Sequence, residues 1–124
     1  MRRYWALPEF LQIAAYPAEG EYAWPREEVL GVIKWLTEHA CAVIGVDVWL
    51  ATEPGPTIPT PRLYGWEYAS ASSSQPWRIL VLRANAKAAE YVEAFAWHPE
   101  DTRHLHETPY FNLTVIEEQD RPDS

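Results

Sequence analysis

The chain of 124 residues has one cysteine, five glycines and few basic side chains. Its single cysteine, Cys41, excludes an internal disulfide, so folding does not require an oxidising compartment. Ten Lys and Arg oppose eighteen Asp and Glu, which gives a formal net charge of −8. Because phosphates are bound by patches of Lys and Arg, this charge argues against DNA, RNA or an anionic membrane as a partner. It favours a basic partner, since opposite charges speed association.

The sequence also lacks a long apolar run. No stretch approaches the roughly 18 apolar residues that a membrane-spanning helix needs. Two arginines precede an apolar segment near residue 1, but Pro8, Glu9 and Gln12 interrupt it, unlike the core of a signal peptide. We therefore expect a cytoplasmic protein with no membrane partner.

The length and composition fit one folded unit. We predict a single domain over residues 1–124, in which residues 1–22 are a peripheral segment and residues 118–124 a frayed tail. Seven Trp and seven Tyr are many for a chain of this length. Most of them must be core, but the rest should be exposed, where aromatic side chains favour contact with another protein.

Two helices are predicted from apolar residues at helical spacing. The first covers residues 25–39, with Glu27 and Glu28 complementing the positive end of the helix dipole. Its core stripe comprises Val29, Val32, Ile33, Leu36 and Ala40. The second covers residues 76–95, and its stripe comprises Trp77, Leu80, Val81, Ala84, Ala88, Tyr91, Val92 and Phe95. A short helix at residues 7–15 and a loop at residues 16–23 are also predicted.

Three strands are predicted at residues 41–50, 64–69 and 110–117. In the first strand, period two places Ile44, Val46, Val48 and Leu50 against the helices, and Val43, Gly45, Asp47 and Trp49 on the other face. In the second, Tyr64, Trp66 and Tyr68 share a face opposite Gly65 and Glu67. In the third, Phe111, Leu113 and Val115 point inward, and Tyr110, Asn112 and Thr114 outward. We therefore predict an α+β fold with a small, mainly antiparallel sheet of about three strands and two main helices packed on one face.

The residue types needed for catalysis are poorly arranged. The sequence contains no glycine-rich phosphate loop, no G-x-S-x-G turn and no paired-carboxylate signature. Cys41 opens an apolar strand, which favours a buried structural thiol over a nucleophile. We accordingly expect no enzyme activity and no cofactor.

The segment from His98 to His106 is the one candidate for metal or acid–base chemistry. Zinc sites use His and carboxylates, so a small metal-assisted hydrolase would use His98, Asp101, His104 and His106. Two histidines in a loop, however, have no helix to aim both rings, and their spacing matches no strong zinc motif. We expect a solvated loop without metal and retain the hydrolase as an alternative.

Asp47 is the most informative single residue. A carboxylate inside an otherwise hydrophobic strand must be hydrogen-bonded or exposed. One interpretation is a local hydrogen bond, for example to the indole of Trp49 or Trp66. The other is an acceptor for Arg or Lys from a partner. The sequence leaves both open.

The order of these segments resembles the immunity protein forty family of bacterial polymorphic toxin systems. The resemblance covers residues 23–116 and rests on a Trp-led helix (AWPREEVLGVIKWL), a strand containing VIGVDV, a Y-G-W strand, a helix with KAAEYV and a closing strand YFNLTVI. It implies a cytosolic antidote that binds a cognate secreted toxin and blocks the toxin's active site or substrate groove. Toxic nucleases are generally basic, which suits the acidic composition.

On this hypothesis the contact surface joins the open sheet face to neighbouring loops. The residues that we expect to bind the toxin are Asp47, Trp49, Glu53, Trp66 and Glu67. Besides the hydrolase, a third hypothesis is a non-catalytic adaptor whose aromatic sheet face pairs with a second copy of the chain.

Overall fold

The structure is a computed structural model and describes residues 8, 16–18, 21–50, 64–68, 74–101 and 107–120. In chain order the elements are β1 (Tyr16–Ala18), β2 (Glu21–Pro25), α1 (Arg26–Glu38), β3 (Ala42–Leu50), β4 (Gly65–Glu67), α2 (Trp77–Ala94) and β5 (Pro109–Ile116), followed by a single 3-10 turn (Glu118–Asp120). The helix predicted at residues 7–15 lies outside these ranges apart from Pro8. So does the proline-rich connection at residues 53–61.

The strands form one sheet in the order β1-β2-β5-β3-β4, and all neighbours are antiparallel. The predicted α+β class is confirmed, but the sheet has five strands where about three were expected. The prediction of a loop at residues 16–23 was wrong, because β1 and part of β2 lie there. Strands of three and five residues are too short to show a clear alternation. The pairing of β1 with β2, and of β2 with β5, supplies the stability that the local pattern lacks.

Both helices contribute to one large hydrophobic cluster, the main cluster, on one face of the sheet. The predicted stripe of α1 is confirmed at Val29, Val32, Ile33 and Leu36, all of which are buried. The sheet contributes residues that period two assigned to the helices: Val46, Val48, Leu50, Phe111, Leu113 and Val115. Each fully buried apolar side chain of this kind stabilises the fold by roughly 1.5–3 kcal/mol.

Ala40 does not belong to the α1 stripe, contrary to prediction. The helix ends at Glu38, and Ala40 adopts a left-handed backbone conformation with φ of 60°. The N–H of Cys41 then bonds the carbonyl of Leu36 at 2.9 Å, and the N–H of Ala40 bonds that of Thr37 at 3.3 Å. This pair of bonds is the Schellman ending of a helix. It turns the chain sharply into β3 and leaves Ala40 exposed.

A β-bulge shifts the faces of β3 near its start. Val43 pairs with Val115, but Gly45 pairs with Thr114, so Ile44 is an extra residue in the ladder. Val43, predicted on the outer face, is therefore fully buried in the main cluster. Ile44, predicted to face the helices, is half-buried and packs on a smaller cluster formed by α2 and the strand ends.

The side chain of Asn85 joins α2 to the turn between α1 and β3. It is 2 % exposed. Its Nδ2 donates to Thr37 Oγ1 at 2.7 Å and to the carbonyl of Cys41 at 3.0 Å. Its Oδ1 accepts from the N–H of Val43, at the bulge, at 2.7 Å. One amide thus satisfies a buried donor and a buried acceptor of the main chain, which would otherwise cost about 1–3 kcal/mol each.

Two further hydrogen bonds hold the ends of α2. At its start, the indole Nε1 of Trp77 donates to the carbonyl of Ala40 at 3.0 Å. Just beyond its last turn, the guanidinium of Arg26 donates to the carbonyl of Phe95 at 2.8 Å. α2 is therefore tied to both ends of α1. Neither helix among the residues described is long and apolar enough to cross a membrane.

We predict that Asn85→Ala lowers the free energy of unfolding by at least about 2 kcal/mol, because the N–H of Val43 and the carbonyl of Cys41 lose their partner. Urea unfolding measures the loss. Lys87→Ala, on the exposed side of the same helix, is the control and should change stability by less than about 0.5 kcal/mol. Equal losses for the two variants would contradict this role of Asn85.

Candidate functional site

The face of the sheet opposite the main cluster carries a shallow depression of about 330 Å³. It lies where β3, β4 and β5 run side by side. Its lining residues are Gly45, Asp47, Gly65, Trp66, Glu67 and Thr114. Both of the ionisable side chains in this set are carboxylates, and we call the feature the acidic depression.

Two glycines keep the acidic depression open. A Cβ added to Gly45 would lie 3.3 Å from the Cβ of Thr114. A Cβ added to Gly65 would lie 3.1 Å from the carbonyl oxygen of Val46 and 3.2 Å from Oδ1 of Asp47. Both contacts are tighter than side chains ordinarily accept. The missing side chains therefore create the space, and they leave the Asp47 carboxylate at its wall.

The two carboxylates belong to neighbouring strands. Asp47 pairs with Gly65, and Glu67 pairs with Gly45, so Asp47 and Glu67 are diagonal neighbours on the same face. Diagonal positions of this kind are roughly 7–8 Å apart. Both residues are exposed. Two negative charges at this spacing, beside a surface without bulky side chains, suit a cationic group that approaches the sheet from outside.

The predicted binding residue Trp66 lies on the opposite side of the sheet. It pairs with Val46, and cross-strand partners share a face. Its half-buried ring packs against the main cluster and lies 6.2 Å from that of Tyr68. Trp66 borders the acidic depression through its main chain, since its carbonyl oxygen lies 3.7 Å from a Cβ built on Gly45.

Trp49, by contrast, lies on the same face as Asp47. It pairs with Tyr110, and both residues are half-buried. Farther along this face, toward β2, Asn112 is 4 % exposed and Ala23 fully buried. The Nδ2 of Asn112 donates to the carbonyl of Tyr22 at 2.9 Å, so the predicted outward position of Asn112 is not an exposed one. The accessible part of this face is its β3–β4 side.

Asp47 also acts on the electrostatics of α2. The pKa of the Tyr91 hydroxyl is raised to about 12, mainly by burial and also by the negative charge of Asp47 and the electrostatic effect of the nearby Tyr64 hydroxyl. Desolvation and a nearby negative charge both disfavour the phenolate.

The first residues of the segment from His98 to His106 have a structural role. The Tyr64 hydroxyl donates to the carboxylate of Asp101, which is 9 % exposed, and accepts from the N–H of His98 at 3.0 Å. The Nδ1 of His98 accepts from the N–H of Glu100 at 3.1 Å. Asp101 and His98 thus anchor the segment that follows α2. His104 and His106 lie outside the described residues, and within those residues no group of three His, Cys, Asp or Glu could hold a metal ion.

Cys41 and Glu53 are the two remaining candidates from the sequence. Cys41 is buried, as predicted, with its Sγ 3.5 Å from the carbonyl oxygen of His39. Burial gives this thiol the character of a core side chain. Glu53, the remaining residue predicted to bind a toxin, lies outside the described ranges.

Sequence reasoning missed Gly45, Gly65 and Thr114 as parts of the site. A signal was present, because glycine inside a strand weakens it and often marks close approach by another group. Gly45 and Gly65 lie two residues before Asp47 and Glu67, respectively, and so share their face. Only the pairing of β3 with β4 shows that the four residues are neighbours.

The chain matches no protein-family model, and comparison with curated proteins and with solved structures found no match either.

The two tryptophans provide a test of these assignments. We predict that Trp66→Ala lowers the free energy of unfolding by about 2 kcal/mol, less than for a fully buried ring because Trp66 is only partly buried. Trp49→Ala should cost less than about 1 kcal/mol, since Trp49 belongs to neither described hydrophobic cluster. Chemical unfolding of both variants gives the comparison. The reverse order of losses would place Trp49 in the core and Trp66 at the surface.

Proposed function

We propose that this chain is an immunity protein that binds and neutralises a cognate secreted bacterial toxin. The toxin is basic, and a nuclease is the leading candidate. Binding occludes the toxin's active site or substrate groove, and the chain itself performs no chemistry. The observation that carries the proposal is the acidic depression, which presents Asp47 and Glu67 on an accessible sheet face of a protein with net charge −8.

Charge supports this choice of partner. A nuclease must hold phosphates, and it does so with Lys and Arg around its substrate groove. An acidic surface attracts such a groove from a distance and accelerates association. Carboxylates that approach the same cations as phosphates compete directly with the substrate. Inhibition then follows from occupancy alone.

The geometry supports recognition of a guanidinium or ammonium group. Arg forms two parallel hydrogen bonds to a carboxylate, and such charge-assisted bonds strengthen when water is excluded. The glycine-lined surface between Asp47 and Glu67 allows a partner side chain to lie close to the main chain. We therefore expect a basic side chain of the toxin to occupy the acidic depression.

The acidic depression covers only part of a stable interface. Specific complexes bury roughly 800 Å² on each partner, and aromatic side chains supply much of the affinity. Trp49 and Tyr110 adjoin the acidic depression on the same face and are half-buried. We propose that they extend the contact surface, with Glu53 on the connection that follows β3. Trp66 supports β4 from the other side.

Mixing the purified chain with the toxin domain encoded beside it tests the proposal. We expect a stoichiometric complex by size-exclusion chromatography with light scattering, and an affinity that falls as salt increases. The complex should also abolish the toxin's activity in vitro. Failure to form a complex at low salt would exclude this function.

Charge reversal locates the interface. We predict that Asp47→Lys and Glu67→Lys each weaken toxin binding by at least about tenfold, because each places a cation opposite a basic partner. Glu38→Lys, an exposed position at the end of α1, makes the same change in net charge and is the matched control. Titration calorimetry gives the three affinities. Equal weakening by all three variants would show that only net charge matters.

Truncating Trp49 tests the aromatic part of the same surface. Trp49→Ala should weaken binding by about 2 kcal/mol if the indole is a central anchor. Melting curves confirm that the variant is folded before its affinity is compared with that of the parent chain. Unchanged affinity would remove Trp49 from the interface.

A further inference from the structure

The outward face of α2 differs from the rest of this acidic protein. Among the described residues, the two exposed large hydrophobic side chains are Ile79 and Leu82, at 36 % and 47 % exposure, and both lie on α2. They are one helical turn apart and therefore share a side of the helix. Ala86 continues the same line and is also exposed.

The charges of α2 are separated along its length. Its first two-thirds carries Arg78, Arg83 and Lys87 and no acidic residue, whereas its last turns carry Glu90 and Glu93. All five are exposed. The two ends of the outward face thus have opposite signs, in a chain whose net charge is −8.

This distribution of charges destabilises α2 as an isolated helix. The start of a helix carries partial positive charge and its end partial negative charge. α2 has no acidic residue in its first turn and no basic residue in its last, so Arg78 and Glu93 both oppose the dipole. A second helix lying antiparallel would place charges of the right sign at each end. The basic half also disfavours a basic toxin as the occupant of this face.

We propose that the outward face of α2 binds the same face of a second copy of this chain, as an antiparallel, two-fold symmetric helix pair. With the axis between Ala86 and Lys87, Arg83 lies opposite the partner's Glu90, and Ile79 opposite the partner's Ala94. Arg78 comes within reach of the partner's Glu93. Each of these contacts occurs twice, because a two-fold interface is self-complementary.

The rest of the molecule makes this the favoured face for self-association. Two copies that each carry a net charge of −8 repel through most of their surfaces. The basic half of α2 lowers that repulsion locally. The small side chain of Ala86 allows the two helices to approach closely at the crossing, where Leu82 is removed from water. The acidic depression lies on the opposite face of the sheet and remains free for the toxin.

A charge swap tests this geometry. Sedimentation velocity over a concentration series should show a reversible monomer–dimer equilibrium for the natural chain. Arg83→Glu places like charges opposite each other at two sites, and we expect at least about tenfold weaker dimerisation. The double variant Arg83→Glu with Glu90→Arg exchanges the charges and should restore dimerisation to within about threefold of the natural chain.

Lys34→Glu on α1 is the matched control, because it makes the same change in net charge at another exposed position. It should weaken dimerisation less than Arg83→Glu does. Melting curves verify that all variants are folded, as expected for exposed positions. A chain that stays monomeric at every concentration, or a double variant that does not recover, overturns the proposal. Weakening of toxin binding instead of dimerisation by Arg83→Glu would overturn it as well.

Discussion

The hydrogen bonds of Asn85 hold together three parts of this fold, namely α2, the end of α1 and the start of β3. The amide accepts from Val43 at the bulge of β3, and it donates to Thr37 in the last turn of α1 and to Cys41 after that helix. A buried amide bonded in this way specifies one arrangement, because any other leaves polar groups unpaired. These hydrogen bonds therefore set the position of β3 relative to α2. They also set the position of the residues that follow the bulge, beginning with Gly45.

From that register the two faces of the sheet acquire different roles. Val46 and Val48 are buried against the helices, while Gly45 and Asp47, on either side of Val46, face outward with Gly65 and Glu67 of β4. The acidic depression is therefore a consequence of strand pairing and of two absent side chains. On the far side of the helices, α2 presents cations and two apolar residues. The proposed toxin and the proposed second copy thus bind different surfaces.

Patterns within one element could be predicted from the sequence. The stripe of Val29, Val32, Ile33 and Leu36 and the inward set of β5 follow from period alone, and the structure confirms them. A signal for Asn85 was also present, since the amide lies four residues after Val81 and three before Ala88, within an apolar stripe. Its partners were not predictable, because they lie more than forty residues away.

Features that depend on pairing between elements were beyond the sequence. The bulge at Ile44 moves Val43 from its predicted outer face into the main cluster, since an added residue changes the period of a strand. Alternation within β4 predicts that Trp66 and Glu67 lie on opposite faces of the sheet, although both are among the residues predicted to bind the toxin. The structure separates them, because Trp66 pairs with Val46 on the helix side.

We propose that the toxin binds the acidic depression and not the helices. Hydrogen exchange of the chain with and without the toxin domain tests it most directly, because the main-chain amides of the edge strand β4 and of β3 report on cover over this face. We predict slower exchange at residues 45–49 and 65–67 in the complex and unchanged exchange at residues 78–90. Protection confined to residues 78–90 would contradict the account.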